Sequence, residues 1–218
     1  MARQRLGEET LTSILLRPEQ ARACYVFAHG AGAGMRHVFM AAFANGLAER
    51  RIATLRYQFA YMDKGSKRPD PPAVAHAAVR ATVAEAGARC GDLPLFAGGK
   101  SFGGRMTSQA QALEPLPDVR GLVFVSFPLH PPGKPSLDRA EHLSSVLCPM
   151  LFLQGTRDEL ADLALLNAAI ERLGERATLA LFDDADHSFH VRASSGRNDA
   201  QVLAAMLDAT ADWVTAHL

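Results

Sequence analysis

The sequence predicts an α/β fold with a mostly parallel central sheet and helices on both faces. Three observations predict it. Strand-like and helix-like segments alternate along the chain, which is the pattern of parallel sheets with crossover helices. Residues 121–126 are apolar almost throughout, as is typical of a central strand covered on both faces. A short apolar run at residues 94–97 leads directly into a glycine-rich turn and then into helix-forming residues.

The other strands are predicted from short apolar or β-branched runs bounded by turn residues. An edge strand is expected at residues 10–16, and inner strands are expected at 24–28, 52–57, 149–154 and 177–182. Two loops rich in proline or glycine, 58–72 and 127–135, separate some of these elements. We expect no loop longer than about a dozen residues, which is too short for a separate lid domain.

Helices are predicted where apolar side chains recur at helical spacing. Residues 38–50 show this spacing, residues 73–88 are rich in alanine, and a third helix follows the glycine-rich turn. Residues 160–173 predict a fourth helix, and residues 199–217 predict a fifth, in which Trp213 is expected to lie in the core. With 218 residues and no repeats or linkers, the chain is expected to form a single domain over residues 1–218.

Composition excludes several classes of function. Lys plus Arg and Asp plus Glu both number 23, so the formal charge is zero and no electrostatic footprint for nucleic acid or an anionic membrane is expected. We expect no secretory signal and no membrane span, because no apolar segment is long enough. Three widely spaced cysteines indicate reduced thiols and a cytoplasmic protein. No metal-ligand pattern is present, and no cofactor is expected.

The glycine-rich turn carries the first candidate catalytic residue. Gly99 and Gly103 flank Ser101 in a Gly-x-Ser-x-Gly pattern between a strand and a helix, which is typical of a nucleophile elbow. The sharp turn needs small neighbours and leaves the backbone N–H of Phe102 free to bind an oxyanion. A P-loop is excluded, because its first glycine would fall at position 94, which is Pro94.

A nucleophilic serine needs a histidine to take its proton and a carboxylate to orient that histidine. On a strand–elbow–helix scaffold these groups follow in the order Ser, Asp, His, each at the carboxyl end of a strand. Asp158 follows the strand at 149–154 and His187 follows the strand at 177–182. Glu159 and Asp162 remain alternatives to Asp158, and His190 remains an alternative to His187.

A second oxyanion donor is expected from the loop after the strand at 24–28. That loop, His29-Gly30-Ala31-Gly32-Ala33-Gly34, has small residues that let backbone N–H groups approach a negative charge. We assign the Ala31 N–H to this role and expect His29 to brace the loop. The spacing Gly-x-Gly-x-Gly does not match a dinucleotide-binding fingerprint. For the substrate pocket, the nearby loops suggest His130, Tyr57 and Phe59 as wall residues.

Taken together, these motifs resemble the α/β-hydrolase superfamily. The chain is similar to small, lidless predicted hydrolases akin to dienelactone hydrolases, and especially to a branch with testis-expressed and chromatin-complex-associated homologues. The segments at 56–62 and 128–135 resemble that branch as well. The resemblance implies an α/β-hydrolase fold and a Ser101–Asp158–His187 triad. The chain departs from dienelactone hydrolases proper, which have a cysteine nucleophile where this sequence has Ser101.

The sequence therefore predicts a serine hydrolase that cleaves a small ester, thioester or amide through an acyl-enzyme. Its expected partner is a small acyl substrate, and the oligomeric state stays open. The alternative hypothesis is a binding or scaffold protein that retains the fold with little or no catalysis, suggested by the homologues in chromatin complexes. An intact set of three catalytic residues argues against that alternative.

Overall fold

The computed structural model describes residues 2–6 and 9–218, with side chains from residue 12 onward. Within these residues, eight strands form one sheet in the order β1-β2-β4-β3-β5-β6-β7-β8. Their bounds are β1 Ala2–Leu6, β2 Glu9–Leu16, β3 Ala23–Ala28, β4 Ile52–Tyr57, β5 Leu95–Lys100, β6 Val119–Val125, β7 Met150–Gly155 and β8 Ala177–Phe182. β2 runs antiparallel to β1 and β4. The other six strands, β3 to β8, all run parallel to one another. The predicted α/β fold is confirmed.

The described part of the chain forms six α-helices, which cover the two faces of this sheet. They are α1 Val38–Glu49, α2 Ala60–Asp63, α3 Pro72–Cys90, α4 Phe102–Leu113, α5 Leu163–Leu173 and α6 Asp199–Ala216. Successive strand residues point to opposite faces, so Val26 belongs to the core layer that includes α3, α4 and α5, while Phe27 belongs to the layer that includes α1 and α6. Trp213 lies in the second of these layers, as expected, and donates its indole N–H to Thr178. No helix in the described residues is long and apolar enough to cross a membrane.

The structure corrects four details of the prediction. β1 pairs outside β2, so the strand predicted at 10–16 exists but is not an edge strand. The loop at 58–72 contains the single-turn helix α2. Helix α5 begins at Leu163 rather than at residue 160, because the Asp162 side chain accepts the Leu165 N–H and caps the helix. The connection between β6 and β7 spans residues 126–149 and holds only one 3-10 turn, so it is about twice as long as expected.

The parallel arrangement brings the carboxyl ends of β3, β5, β6, β7 and β8 to one edge of the sheet. In open α/β sheets, this edge is where ligands bind. The loops after these strands carry the candidate residues identified from the sequence, so the topology places them together before any side-chain contact is considered.

Candidate active site

Ser101 lies in the turn between β5 and α4 with the backbone strain expected of a nucleophile elbow. Its φ is +50° and its ψ is −114°, a conformation that is sparsely populated for residues with a side chain. A Cβ on Gly103 would lie 2.6 Å from the carbonyl oxygen of His29, and one on Gly99 would lie 2.5 Å from that of Ala28. Only glycine fits at both positions without moving backbone.

The structure brings Ser101, His187 and Asp158 into one hydrogen-bonded chain. His187 Nε2 lies 2.9 Å from Ser101 Oγ, and His187 Nδ1 lies 2.7 and 2.9 Å from the two carboxylate oxygens of Asp158. The three residues follow β5, β8 and β7 respectively. The His187 side chain is 26% exposed and that of Asp158 is fully buried. This arrangement has the geometry of a nucleophile, a base and a group that orients the base.

The Asp158 carboxylate receives two further hydrogen bonds. The Leu160 N–H donates to Oδ1 at 2.9 Å and the Gln154 side-chain amide donates to Oδ2 at 2.5 Å. Gln154 is itself held, because its amide oxygen accepts the Phe127 N–H at 2.9 Å. These donors hold the Asp158 carboxylate so that it cannot rotate away from His187. The sequence analysis did not identify Gln154.

The sequence alternatives to these residues lie elsewhere. Glu159 is exposed, and Asp162 caps α5. His190 is exposed and pairs with Asp199, with Nδ1 3.0 Å from the nearer carboxylate oxygen. That partner raises the pKa of the His190 imidazole. Geometry therefore favours Asp158, which hydrogen-bonds His187, and His187, which hydrogen-bonds Ser101.

The two expected oxyanion donors lie beside Ser101 in one cleft. Phe102 is the first residue of α4, where a backbone N–H has no partner within the helix. The loop that carries Ala31 rests against the elbow, since a Cβ on Gly30 would lie 3.8 Å from the Ser101 Cβ. The Tyr61 hydroxyl donates to the Ala31 carbonyl at 2.9 Å and fixes this part of the loop.

His29 braces the same loop, as the sequence predicted. It is fully buried, its Nδ1 lies 2.8 Å from the Gly30 carbonyl oxygen, and its Nε2 accepts the Phe59 N–H at 3.1 Å. A carbonyl oxygen only accepts, so the proton is on Nδ1 and the imidazole is neutral. Burial accordingly lowers the pKa of His29 to about 4.

The three predicted pocket residues do not line the cleft at Ser101, which corrects that assignment. Tyr57 and Phe59 are 1% and 0% exposed and pack in the hydrophobic core. His130 is 3% exposed. Its Nδ1 lies 2.9 Å from the Pro131 carbonyl oxygen and its Nε2 accepts the Asp162 N–H at 2.9 Å. His130 therefore joins the loop after β6 to the loop after β7.

The cleft at Ser101 has a volume of about 450 Å³. Its walls come from the loops after β3, β4, β6 and β7 and from the first turn of α4. They are formed by Ala31, Pro69, Asp70, Pro72, Ser101, Phe102, Arg105, Pro128, Pro132, Arg139 and Leu160. Four prolines make these walls stiff. The described residues contain no group of three or more His, Cys, Asp or Glu side chains placed to hold a metal ion.

Lys100, the residue before Ser101, binds the backbone of the loop that carries His187. Its Nζ donates to the His187 carbonyl oxygen at 2.8 Å, and the Ser126 hydroxyl donates to the same oxygen at 2.8 Å. The ammonium also lies 4.8 Å from the ring centre of Phe39 and 5.4 Å from that of Phe189. The two hydrogen bonds to the carbonyl oxygen fix the position of the His187 backbone. Burial lowers the pKa of Lys100 to about 8.

Exchange of Lys100 for methionine is expected to change how stability depends on pH. The lysine has a pKa of 10.5 when exposed and about 8 in the folded chain, so between these values the unfolded chain holds a proton that the folded one has lost. Stability of the wild type should therefore rise from pH 8 to pH 10.5, by up to about 3 kcal/mol for this group.

The measurement is the free energy of unfolding in denaturant at pH 7 and pH 10 for both proteins. Other groups that titrate in this range are common to the two chains and cancel in the comparison. The wild type should gain more stability than Lys100→Met over this interval. Equal changes in the two proteins would contradict the burial of a charged Lys100.

Comparison with known proteins gives the family. The family described as "alpha/beta hydrolase domain" matches residues 21–215, nearly the whole chain. The chain belongs to this α/β hydrolase family. Solved structures with a similar fold include a dienelactone hydrolase from Anabaena variabilis, with 21% identity and a TM-score of 0.81 over 100% of this chain and 96% of that one.

Two further structures resemble this hydrolase. A lidless α/β serine hydrolase from Xanthomonas campestris has 20% identity and a TM-score of 0.74, covering 97% of this chain and 94% of that one. A serine hydrolase homologue from Coxiella burnetii has 17% identity and a TM-score of 0.76 over 95% of both chains. At these identities the likeness concerns the fold. The resemblance to lidless, dienelactone-hydrolase-like proteins is confirmed, and the narrower branch stays a prediction.

Proposed function

We propose that this hydrolase cleaves a small carboxylic ester, thioester or amide through an acyl-enzyme formed on Ser101. The observation that carries the proposal is the unbroken chain of hydrogen bonds from Ser101 Oγ through His187 to the buried Asp158. Ser101 lies at a strained elbow, and the proposed oxyanion donors, the backbone N–H groups of Phe102 and Ala31, belong to residues that line the same cleft. These are the parts that acyl transfer needs: a nucleophile, a base, an orienting carboxylate and an oxyanion site.

In the first half of the reaction, His187 Nε2 takes the proton of the Ser101 hydroxyl while Oγ forms a bond to the substrate carbonyl carbon. The carbonyl oxygen becomes an oxyanion and accepts the N–H groups of Phe102 and Ala31. Loss of one such donor typically costs about 2.7–4 kcal/mol of transition-state stabilisation. The intermediate then expels the alcohol, thiol or amine, which receives the proton from His187, and an acyl-enzyme remains.

In the second half, water attacks the acyl carbon and His187 takes one of its protons. The intermediate collapses, Ser101 Oγ leaves with that proton and the carboxylic acid departs. Asp158 stays ionised throughout and stabilises the imidazolium that forms twice. Because Asp158 binds Nδ1, it also keeps the free electron pair of Nε2 directed at Ser101.

The acyl-enzyme is the intermediate that tests this mechanism. We expect 4-nitrophenyl butyrate to give a burst of one nitrophenolate per enzyme chain, followed by slower turnover. After an acid quench, mass spectrometry should find one butyryl group on the peptide that contains Ser101. Turnover without an acylated chain, or a butyryl group on another residue, would contradict the mechanism.

Ser188 provides a matched control for this experiment, because it is exposed and adjacent to His187 in sequence. Ser188→Ala should retain the burst and Ser101→Ala should lose it. If the folded wild type shows neither burst nor turnover with ester, thioester and amide forms of the same acyl group, the scaffold alternative is the better account.

A further inference from the structure

Among the described residues that line the cleft, Arg105 is the one whose side chain has a buried polar atom without a hydrogen-bond partner. It lies on α4, four residues after Ser101, and lines the same cleft. Within the described part of the chain, Arg105 Nε is buried and has no hydrogen-bond partner. An unpaired buried donor on a charged group is costly, and an anion held by the terminal Nη groups of this half-buried side chain would offset part of that cost.

Arg105 shares the cleft with a second arginine, Arg139. Burial lowers the pKa of Arg105, and the charge of Arg139 lowers it further. Burial, Arg105 and His76 together lower the pKa of His142 to about 4, so that histidine is neutral at pH 7. The carboxylate that lines the cleft, Asp70, accepts the Tyr61 N–H at 3.0 Å. Two guanidinium groups thus share a cleft whose acidic residue is already engaged.

The position of the cleft relative to His187 indicates which end of the substrate it holds. His187 must protonate the leaving group, so the leaving group lies on the side of that imidazole. The described residues that line the cleft include Ser101 and the oxyanion donor Phe102 but not His187. We therefore take the part of the cleft that contains Arg105 as the acyl side of the scissile bond.

We propose that Arg105 and Arg139 bind a carboxylate at the far end of the acyl chain, so that the preferred substrates are half-esters of short dicarboxylic acids. This inference rests on the proposed function, since it assigns the substrate class of the same site. A guanidinium matches a carboxylate with two parallel hydrogen bonds, which the two terminal Nη groups of one arginine can supply.

The spacing from Ser101 sets the length of the acyl chain. Ser101 precedes α4 and Arg105 is the fourth residue of that helix, so about one helical turn separates the two positions. A short acyl chain is therefore expected, and about two to four methylene groups between the two carbonyl carbons is the range to test. Glutarate, with three, is the test compound, and its monoamide is a neutral compound of nearly the same shape.

The experiment compares hydrolysis of monomethyl glutarate with that of the methyl ester of glutaric monoamide, followed by proton NMR. In the wild type, kcat/KM for the half-ester should exceed that for the amide by about 10- to 100-fold, the range expected for hydrogen bonds to a charged group. In Arg105→Gln the ratio should fall to near one, and Arg139→Gln should reduce it as well. Arg120 is an exposed residue near the amino end of β6, away from the cleft at the carboxyl ends of the strands, so Arg120→Gln should keep the wild-type ratio.

A second measurement does not need turnover. Glutarate should raise the melting temperature of Ser101→Ala but not that of Ser101→Ala/Arg105→Gln, with Ser101→Ala/Arg120→Gln as control. Inorganic phosphate at the same concentration serves as the comparison anion. Stabilisation by phosphate but not by glutarate would overturn the carboxylate assignment.

The two proposals fail in distinguishable ways. Equal hydrolysis of both esters without stabilisation by glutarate would overturn the carboxylate site and leave the serine hydrolase intact. An absence of hydrolysis and of any acyl-enzyme, together with Arg105-dependent stabilisation by glutarate, would overturn the proposed function and support the anion site. If neither hydrolysis nor stabilisation occurs, the carboxylate site is wrong.

Discussion

Replacing Ser101 by alanine is expected to lower kcat/KM for any ester that the wild type hydrolyses by about 10⁵- to 10⁶-fold, leaving only the contribution of the oxyanion site and substrate binding. His187→Ala should cause a loss of similar size, because without the base the hydroxyl keeps its proton. The double variant should lose little more than either single variant, since the two groups act as one unit. Steady-state kinetics with a short acyl ester measures all three.

His190→Ala is the matched control for the histidine. His190 lies three residues further along and pairs with Asp199 on the surface. Its replacement should leave kcat/KM within about twofold, as is usual for a surface substitution away from the reacting groups. A His187→Ala enzyme that keeps full activity on an ester that Ser101→Ala no longer cleaves would contradict the assignment of the base.

Exchange of Asp158 for asparagine is expected to lower kcat by about 10⁴-fold with little effect on the fold of the site. An asparagine amide directed at His187 Nδ1 would donate to it, which places the imidazole proton on Nε2. The histidine would then present a donor to Ser101 and could not take its proton. If the asparagine oxygen faces His187 Nδ1 instead, the asparagine NH₂ group faces another donor, either the Leu160 N–H or the Gln154 amide.

The same substitution should therefore destabilise the protein as well, by about 1–3 kcal/mol, because a buried donor is left unpaired in either orientation. Activity and the free energy of unfolding are measured on the same preparation. Glu159→Gln, at the exposed neighbouring residue, should change neither quantity appreciably. An Asp158→Asn enzyme with kcat within tenfold of the wild type would contradict the role of Asp158 in orienting His187.

Ser101, Asp158 and His187 could be predicted because each is marked by the local sequence and by its order along the polypeptide. Ser101 is marked by the glycines that the elbow requires, and the clashes that a Cβ would make at Gly99 and Gly103 show why. Asp158 and His187 each follow a strand in the order that the parallel sheet dictates. Their meeting follows from topology, because the carboxyl ends of parallel strands share one edge.

The pocket residues could not be predicted in this way, because burial is a tertiary property. Tyr57 ends β4, Phe59 follows β4 and His130 follows β6, at the edge of the sheet that carries the site, yet each packs inward. An aromatic or histidine side chain in a loop after a strand carries no local signal of whether it faces a cleft or the core. His29 and His130 show the same use of histidine, in which both ring nitrogens are engaged by backbone groups.

Lys100, Gln154 and Arg105 were missed for a related reason. Their significance lies in contacts with distant segments: Lys100 with the His187 carbonyl 87 residues away, and Gln154 with the Phe127 N–H 27 residues away. Arg105 is four residues from the nucleophile on a helix whose first turn faces the cleft, and that spacing was the one signal available. Strand β1 was also missed, since its five residues have no apolar alternation.

Labelling with a fluorophosphonate tests the central claim most directly, because the reagent reacts only with a serine that has a working base and an accessible oxyanion site. Intact mass should show a single adduct on the wild type and on Ser188→Ala, and none on Ser101→Ala or His187→Ala. Peptide mapping should place the adduct on Ser101. A folded wild type that gains no adduct, or gains one that persists in Ser101→Ala, would contradict the claim that Ser101 is an activated nucleophile.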